Sequence, residues 1–318
     1  MHGPGNASCA STSPAAKTVL IYKSTLLPWS ETFIKEQILA LRRWHGVLIG
    51  ERHLAQLSLD GLDVCLLRPD RRRLISRAAR KLTQLMGGVP RLTVTRLRER
   101  HASLLHVHFG TDAVCAWPIA SALNLPMLVT LHGFDINVDR EWWEAGHGGH
   151  AMRDYPARLL KLAWQPGVSF IAVSEAIRRR AISYGIPARK TAVQYIGVDT
   201  STFTANGRPI LERELKVLFV GRLIEKKGCE YLIRAFATVQ RAVPEARLVI
   251  VGDGPLRESL QRLALELDVR AEFCGVRSAA EVREQLNLAR VFCLPSVQAA
   301  NGDAEGFGLV ILEAQASG

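Results

Sequence analysis

Leu215-Lys216-Val217-Leu218-Phe219-Val220-Gly221-Arg222-Leu223-Ile224-Glu225-Lys226-Lys227-Gly228 is an apolar run that stops at a glycine and opens into a cationic turn. A short β-rich run bounded by such a turn reads as a strand, here 215–220. Apolar residues at helical spacing follow over 232–243, and a second apolar run at 247–251 closes on Val251-Gly252-Asp253-Gly254-Pro255. In that turn glycine permits tight geometry and proline suits helix entry. The alternation continues with a helical pattern at 255–267, a strand at 271–274, a helix at 279–289 and a strand at 291–294. Strands separated by helices imply a parallel sheet covered by helices, so the fold class is α/β.

The first half of the chain repeats the scheme. Strand candidates lie at 18–22, 46–51, 63–67, 104–109, 127–131, 168–173 and 192–195. A helix is expected over 30–44, with Ile34, Ile38 and Leu41 facing inward. A polar stretch containing Asn206, Gly207 and Pro209 separates the two series. Two Rossmann-like domains are therefore expected, at 17–205 and 206–318, behind a disordered N-terminus at 1–16. No internal repeat or low-complexity array is present.

Length and composition agree with two globular cores: 318 residues, 48% hydrophobic. Residues 1–16 lack the apolar segment of a signal peptide, and no window approaches the apolar length of a membrane span. The six cysteines show neither C-x-x-C spacing nor metal-type clustering, which points to reduced thiols and a cytoplasmic location. A net charge of +11 is concentrated between Arg68 and Arg100. Arg73, Arg77, Arg80 and Lys81 fall opposite Leu74, Ala78, Leu82 and Leu85 at helical spacing. That pattern suits either a basic amphipathic helix lying on an anionic membrane surface or an ordinary solvated face. No zinc-finger, aromatic RNA-binding or basic-zipper signature accompanies it, so a nucleic-acid partner is not expected.

Several positions carry candidate chemistry. Arg222 and Lys227 issue from the carboxyl edge of a strand, where α/β folds bind ligands, and can neutralise a diphosphate. Ala304-Glu305-Gly306-Phe307-Gly308-Leu309-Val310-Ile311-Leu312-Glu313-Ala314 puts Glu305 in a loop and Glu313 in the helix that follows. Phe307, Val310, Ile311 and Ala314 form an apolar stripe expected to be buried. Gly306 and Gly308 leave room for an anion at the first-turn amides. Taken alone, this acid spacing is common on surface helices. In Thr130-Leu131-His132-Gly133-Phe134-Asp135, His132 projects from a strand end, where an imidazole can bond a hydroxyl or simply be a satisfied core group. His106 and His108 read as core or supporting groups. No D-x-D triplet occurs, so Arg222 and Lys227 take the electrostatic part of a metal, and metal independence is expected.

With these motifs in this order, residues 18–318 resemble glycosyltransferase family 4, retaining enzymes of the GT-B fold whose two Rossmann-like domains face a cleft. Ser30-Glu31-Thr32-Phe33-Ile34, His106-Val107-His108-Phe109-Gly110, Val173-Ser174-Glu175 and Ile196-Gly197-Val198-Asp199 are similar to the branch that builds bacterial exopolysaccharide, colanic acid or lipopolysaccharide. The resemblance implies that Glu305 contacts the donor sugar, Glu313 the ribose, Arg222 and Lys227 the diphosphate and His132 a sugar hydroxyl. Gly306, Phe307 and Gly308 would lend backbone amides, and Ser30 and Glu31 would lie on the acceptor side. The reaction implied is transfer from a nucleotide diphosphate sugar to a saccharide or lipid-linked acceptor, with no cofactor, in the cytoplasm or peripherally at the inner face of the membrane. Family members continue past the equivalent of Gly318, so the second domain is expected to be incomplete. The alternative is a truncated, noncatalytic nucleotide-sugar-binding or scaffold subunit.

Overall fold

A computed structural model of the chain describes residues 16–28, 31–54, 56–67 and 88–318. The first half is a seven-stranded sheet built from β1 (Lys17–Tyr22), β3 (Trp44–Gly50), β5 (Asp63–Leu66), β6 (Ala102–His108), β7 (Met127–Leu131), β8 (Val168–Ala172) and β9 (Thr191–Val193), in the order β5-β3-β1-β6-β7-β8-β9. Every pairing in it is parallel. Two two-residue strands, β2 (Thr25–Leu26) and β4 (Arg52–His53), pair beside it. The second half is a four-stranded parallel sheet of β10 (Glu214–Val220), β11 (Arg247–Val251), β12 (Ala271–Gly275) and β13 (Ala289–Phe292), in the order β12-β11-β10-β13.

Apolar clusters cover both faces of each sheet, as parallel sheets require. Leu20, Tyr22, Leu105, Val107, Val129 and Phe170 centre one face of the first sheet, and Val19, Ile21 and Leu48 the other. Phe219 and Ile250 centre one face of the second sheet, Leu218 and Val249 the other. Phe203 packs into this second core, ahead of the sequence boundary at residue 206.

The helices are α1 (Thr32–Leu39), α2 (Arg91–Arg98), α3 (Gly110–Leu123), α4 (Phe134–Asn137), α5 (Arg140–Glu144), α6 (Tyr155–Ala163), α7 (Glu175–Tyr184), α8 (Cys229–Ala242), α9 (Arg257–Glu266), α10 (Ala279–Leu288) and α11 (Leu309–Ala316). The helix expected over 30–44 is thus shorter. It ends at Leu39, and Trp44 already pairs with Lys17 in the β1–β3 ladder, because a continuous parallel register outweighs the helical spacing of the preceding residues. Ile34 and Ile38 are buried as expected. The stripe Phe307, Val310, Ile311 and Ala314 is only half-buried, with Ile311 exposed, and Phe307 lies outside α11. Among the described residues the cysteines Cys65, Cys115, Cys229, Cys274 and Cys293 are free thiols. The basic residues Arg71, Arg72, Arg73, Arg77, Arg80 and Lys81 lie outside the described residues.

In both sheets the strand order reverses beside the first strand in sequence. β1 has β3 on one side and β6 on the other, and β10 has β11 on one side and β13 on the other. Open parallel sheets leave a crevice at the carboxyl ends of such strands. In the second sheet that crevice lies between the turn after β10 and the segment after β13. The two are sewn together, with Val297 N–H donating to the Lys226 carbonyl at 2.9 Å. Gly228 permits the approach: its φ is +66°, and a Cβ there would sit 1.8 Å from the Pro295 carbonyl oxygen. Gly228→Ala should therefore lower stability in urea denaturation by about 1–3 kcal/mol; an unchanged midpoint would contradict the contact.

Candidate functional site

The site starts at the end of β7. Asp135, fully buried in α4, accepts from the amides of Gly110 at 2.8 Å, Gly133 at 2.9 Å and His132 at 3.1 Å. One carboxylate so anchors the start of α3 and the turn after β7, which fixes where His132 points. The Tyr155 hydroxyl donates to the Asp135 carbonyl and holds the same turn from behind. His132 packs against Phe109 and Phe33, with ring centroids 4.5 Å and 4.9 Å away, and its Nε2 lies 3.0 Å from Nδ1 of His108. Burial, with the charges of His106 and Lys23 behind it, pushes the His132 pKa down to about 3. The imidazole is neutral at physiological pH and works as a hydrogen-bonding group. His106, whose pKa burial lowers to about 4, is a core group bonded to Thr130 Oγ1 at 2.8 Å.

The second domain meets this turn through the loop 299–308. Asp139 N–H donates to Asn301 O at 3.0 Å, Asn137 Nδ2 to Ala304 O at 3.1 Å and Ser174 Oγ to Gly306 O at 2.8 Å. At the centre of these contacts Gly306 is pressed against the first domain, where a Cβ on it would stand 2.0 Å from the His132 carbonyl oxygen. Glu305 is thereby carried next to His132 in the chain path, and its Oε2 pairs with Lys227 Nζ. Ser296 Oγ also reaches that oxygen, at 3.5 Å. Burial opposes ionisation of Glu305, but Lys227, Lys226 and the Gly306 amide overcome it and hold the carboxyl below its usual range. Lys226 is engaged with Asp303 at 3.0 Å. Among the described residues the amides of Phe307 and Gly308 have no hydrogen-bond partner, whereas that of Gly306 serves Glu305. The Phe307 ring rests 5.9 Å from that of Tyr195.

Arg222, on the same turn as Lys227, is exposed and makes no ion pair with another described residue, while its charge is felt by Glu31 across the domains. Glu31 lies in a buried cluster with Lys23 at 3.3 Å, and Lys23 in turn bonds Asp112 at 2.9 Å. Burial, eased by Lys23, pushes the Glu31 pKa up to about 7, and its Oε2 has no hydrogen-bond partner among the described residues. Ser30 lies outside the described residues. The Glu313 carboxyl makes no hydrogen bond with another described residue, and burial, then the nearby charge of Glu36, raise its pKa to about 7. Beside His132 opens a cavity of about 690 Å3, lined by Phe33, Glu36, Tyr195 and Asp199 among others. Among the described residues no group of three or more His, Cys, Asp or Glu is placed to hold a metal ion.

Lys227 and Glu305 thus pair beside Gly306, whose backbone meets that of His132, with Glu31 and Arg222 related by charge across the interface. The sequence carries signals for these, whereas Asp135 and Ser174 stand in the motifs around His132 and Glu175 with no spacing that assigns them a part. Lys23 and Asp112 gave none, because they meet only where β1 and β6 are neighbours, 89 residues apart in the chain.

A profile described as Glycosyltransferase Family 4 matches residues 31–202, more than half of the chain, and one described as Glycosyl transferases group 1 matches 202–318. The chain belongs to glycosyltransferase family 4. It is 27% identical over 234 residues to the amylovoran biosynthesis glycosyltransferase AmsK of Erwinia amylovora, covering 72% of this family 4 chain and 55% of the relative. It is 30% identical over 221 residues to the putative colanic acid biosynthesis glycosyltransferase WcaL of Salmonella typhimurium, covering 68% and 52% respectively. The chain therefore spans about half the length of the curated relatives it matches. Among solved structures, Anabaena Alr3699/HepE in complex with UDP-glucose superposes with a TM-score of 0.71 at 20% identity, over 94% of this chain and 78% of that one. WaaG, a glycosyltransferase involved in lipopolysaccharide biosynthesis, gives 0.63 at 16% identity, over 94% and 79%. These likenesses establish the GT-B fold.

Two outcomes follow from the geometry. Gly306→Ala should part the loop from His132, seen as a larger radius of gyration in solution scattering; an unchanged value would contradict the tight approach. Glu313, whose folded pKa of about 7 exceeds the ordinary 4.5, binds its proton more tightly in the folded state. Its contribution is full below pH about 4.5 and is lost as pH rises through 7. Glu313→Gln should therefore leave stability unchanged at pH 4.5 and raise it at pH 8 by roughly 1–3 kcal/mol in urea titrations, solvent at the half-buried carboxyl reducing the gain.

Proposed function

We propose that the chain transfers a glycosyl group, with retention of configuration, from a nucleotide diphosphate sugar to a hydroxyl of a saccharide or lipid-linked acceptor in the assembly of a bacterial surface polysaccharide. The observation that supports this reading most is the Lys227–Glu305 pair, which stands in the crevice of the second sheet with Glu305 carried beside His132 of the first domain. Both side-chain donors to Glu305 act on Oε2, which leaves Oε1 without a side-chain donor and able to accept from a sugar hydroxyl. Lys227 and Arg222 lie on one turn and can bind the diphosphate, and the unpartnered amides of Phe307 and Gly308 add dipoles of the same sign.

As the glycosidic bond breaks, negative charge grows on the leaving phosphate, and the positive charges of Lys227 and Arg222 stabilise that charge more than they stabilise the bound donor. His132, neutral, bonds a sugar hydroxyl, Glu313 a ribose hydroxyl, and the Glu31 cluster faces the acceptor. In this reading the cations do the work that a metal ion does elsewhere, and turnover needs no divalent cation. The relatives named in exopolysaccharide synthesis support the substrate class, and a cytoplasmic site of action, peripheral at the inner membrane face through the basic residues between Arg68 and Arg100, fits such acceptors.

Release of nucleotide diphosphate from a panel of sugar nucleotides, with and without lipid-linked acceptor, tests the proposal. One donor should turn over in the presence of EDTA, and Lys227→Ala and Glu305→Gln should each lower kcat/KM about tenfold to a thousandfold. Binding of donor without release, indifferent to either substitution, would overturn it. Cosedimentation with vesicles rich in anionic lipid should fall as salt is raised; association independent of both lipid charge and salt would remove the peripheral assignment.

A further inference from the structure

His108 is 1% exposed, and its two ring nitrogens have different surroundings. Nδ1 lies 3.0 Å from Nε2 of His132, while Nε2 is buried with no hydrogen-bond partner among the described residues. The neighbouring His106 ring, 4.5 Å away, has its own Nε2 committed to Thr130. Burial, reinforced by the adjoining His106 and His132 rings and by the Lys23 charge, holds His108 far below its usual pKa, so one proton is shared across the pair of neutral rings in each of two arrangements. If His132 donated through Nε2, His108 would carry its proton on Nε2 and bury an N–H with no acceptor. If His108 donates through Nδ1, the group left unpaired is a lone pair. Orphaned buried N–H groups are the rarer and costlier defect, so the second arrangement prevails.

We propose that His108 is a positioning residue that, by donating from Nδ1 to His132 Nε2, locks His132 as the Nδ1–H tautomer and makes it a fixed hydrogen-bond donor toward the ligand crevice. The Nδ1 of His132 has no hydrogen-bond partner among the described residues, and its N–H is offered to an oxygen of the substrate in the cavity that His132 lines. The part of this inference that concerns turnover rests on the glycosyl-transfer reading above; the tautomer does not.

Long-range 1H–15N correlation spectra of the full chain labelled at histidine, with His132 assigned by loss of its signals in His132→Gln, test it. The wild type should show a protonated Nδ1 and a bare Nε2 at His132. In His108→Leu the tautomer should shift toward Nε2–H, and in His108→Asn, whose side-chain amide places an N–H where Nδ1 stood, it should return to Nδ1–H. With a turned-over donor, His108→Leu should lower kcat about fivefold to tenfold with little change in KM, and His108→Asn should recover most of it. Protonated Nε2 at His132 in the wild type, or a tautomer untouched in a folded His108→Leu, would overturn the proposal. The predicted tautomer in a chain that turns over no donor would sink the transfer reading instead.

Discussion

Gly306 stands with its backbone against the carbonyl of His132, and no side chain larger than hydrogen fits between them. Everything assigned to the site follows from that contact between two domains. It brings the loop that carries Glu305 to the turn that carries His132, and the hydrogen bonds from Asn137, Asp139 and Ser174 hold it from both flanks. Lys227 then reaches Glu305 from the turn after β10, whose own path is pinned by the approach of Gly228 to Pro295. Two glycines thus set how closely the Lys227–Glu305 pair and the turn that carries His132 can approach.

The electrostatics divide in the same way. Glu305 is kept ionised by its lysine partner, while Glu31 and Glu313 are raised to about 7 by burial and titrate near neutrality. His132 stays neutral far below that range. The crevice therefore combines a fixed charge pair with neutral or readily neutralised hydrogen-bonding groups. A diphosphate calls for the former and sugar hydroxyls for the latter.

Much of this was legible in the sequence because strands buried on both faces are written as unbroken apolar runs. Met127–Leu131 and Arg247–Val251 coincide with the expected bounds. Where a helix pattern ran into a strand the reading failed: the spacing of Ile34, Ile38 and Leu41 continues toward Trp44, but the β1–β3 ladder claims Trp44 and ends the helix early. The stripe through Ile311 misled for another reason. Apolar spacing reports a face, and burial of that face requires a neighbour to pack on it, which the described elements only partly supply. In the site, local motifs exposed Lys227, Glu305 and His132, since the first and last stand in turns after strands and Glu305 stands just ahead of a helix. Contacts between distant segments left no trace, so the Lys23–Asp112 bridge and the His108–His132 pair emerged only from the juxtaposition of β1, β6 and β7.

In the proposed complex a nucleotide diphosphate sugar lies across these two domains, with its phosphates on the β10 turn and its sugar between Glu305 and His132. A crystal structure of the chain with a bound sugar nucleotide measures this directly. The phosphate oxygens should lie within about 3 Å of Lys227 Nζ and of the Arg222 guanidinium, with a hexose hydroxyl at hydrogen-bond distance from Glu305. A diphosphate bound against the first sheet alone, or one leaving the Lys227–Glu305 pair untouched by any part of the ligand, would contradict it.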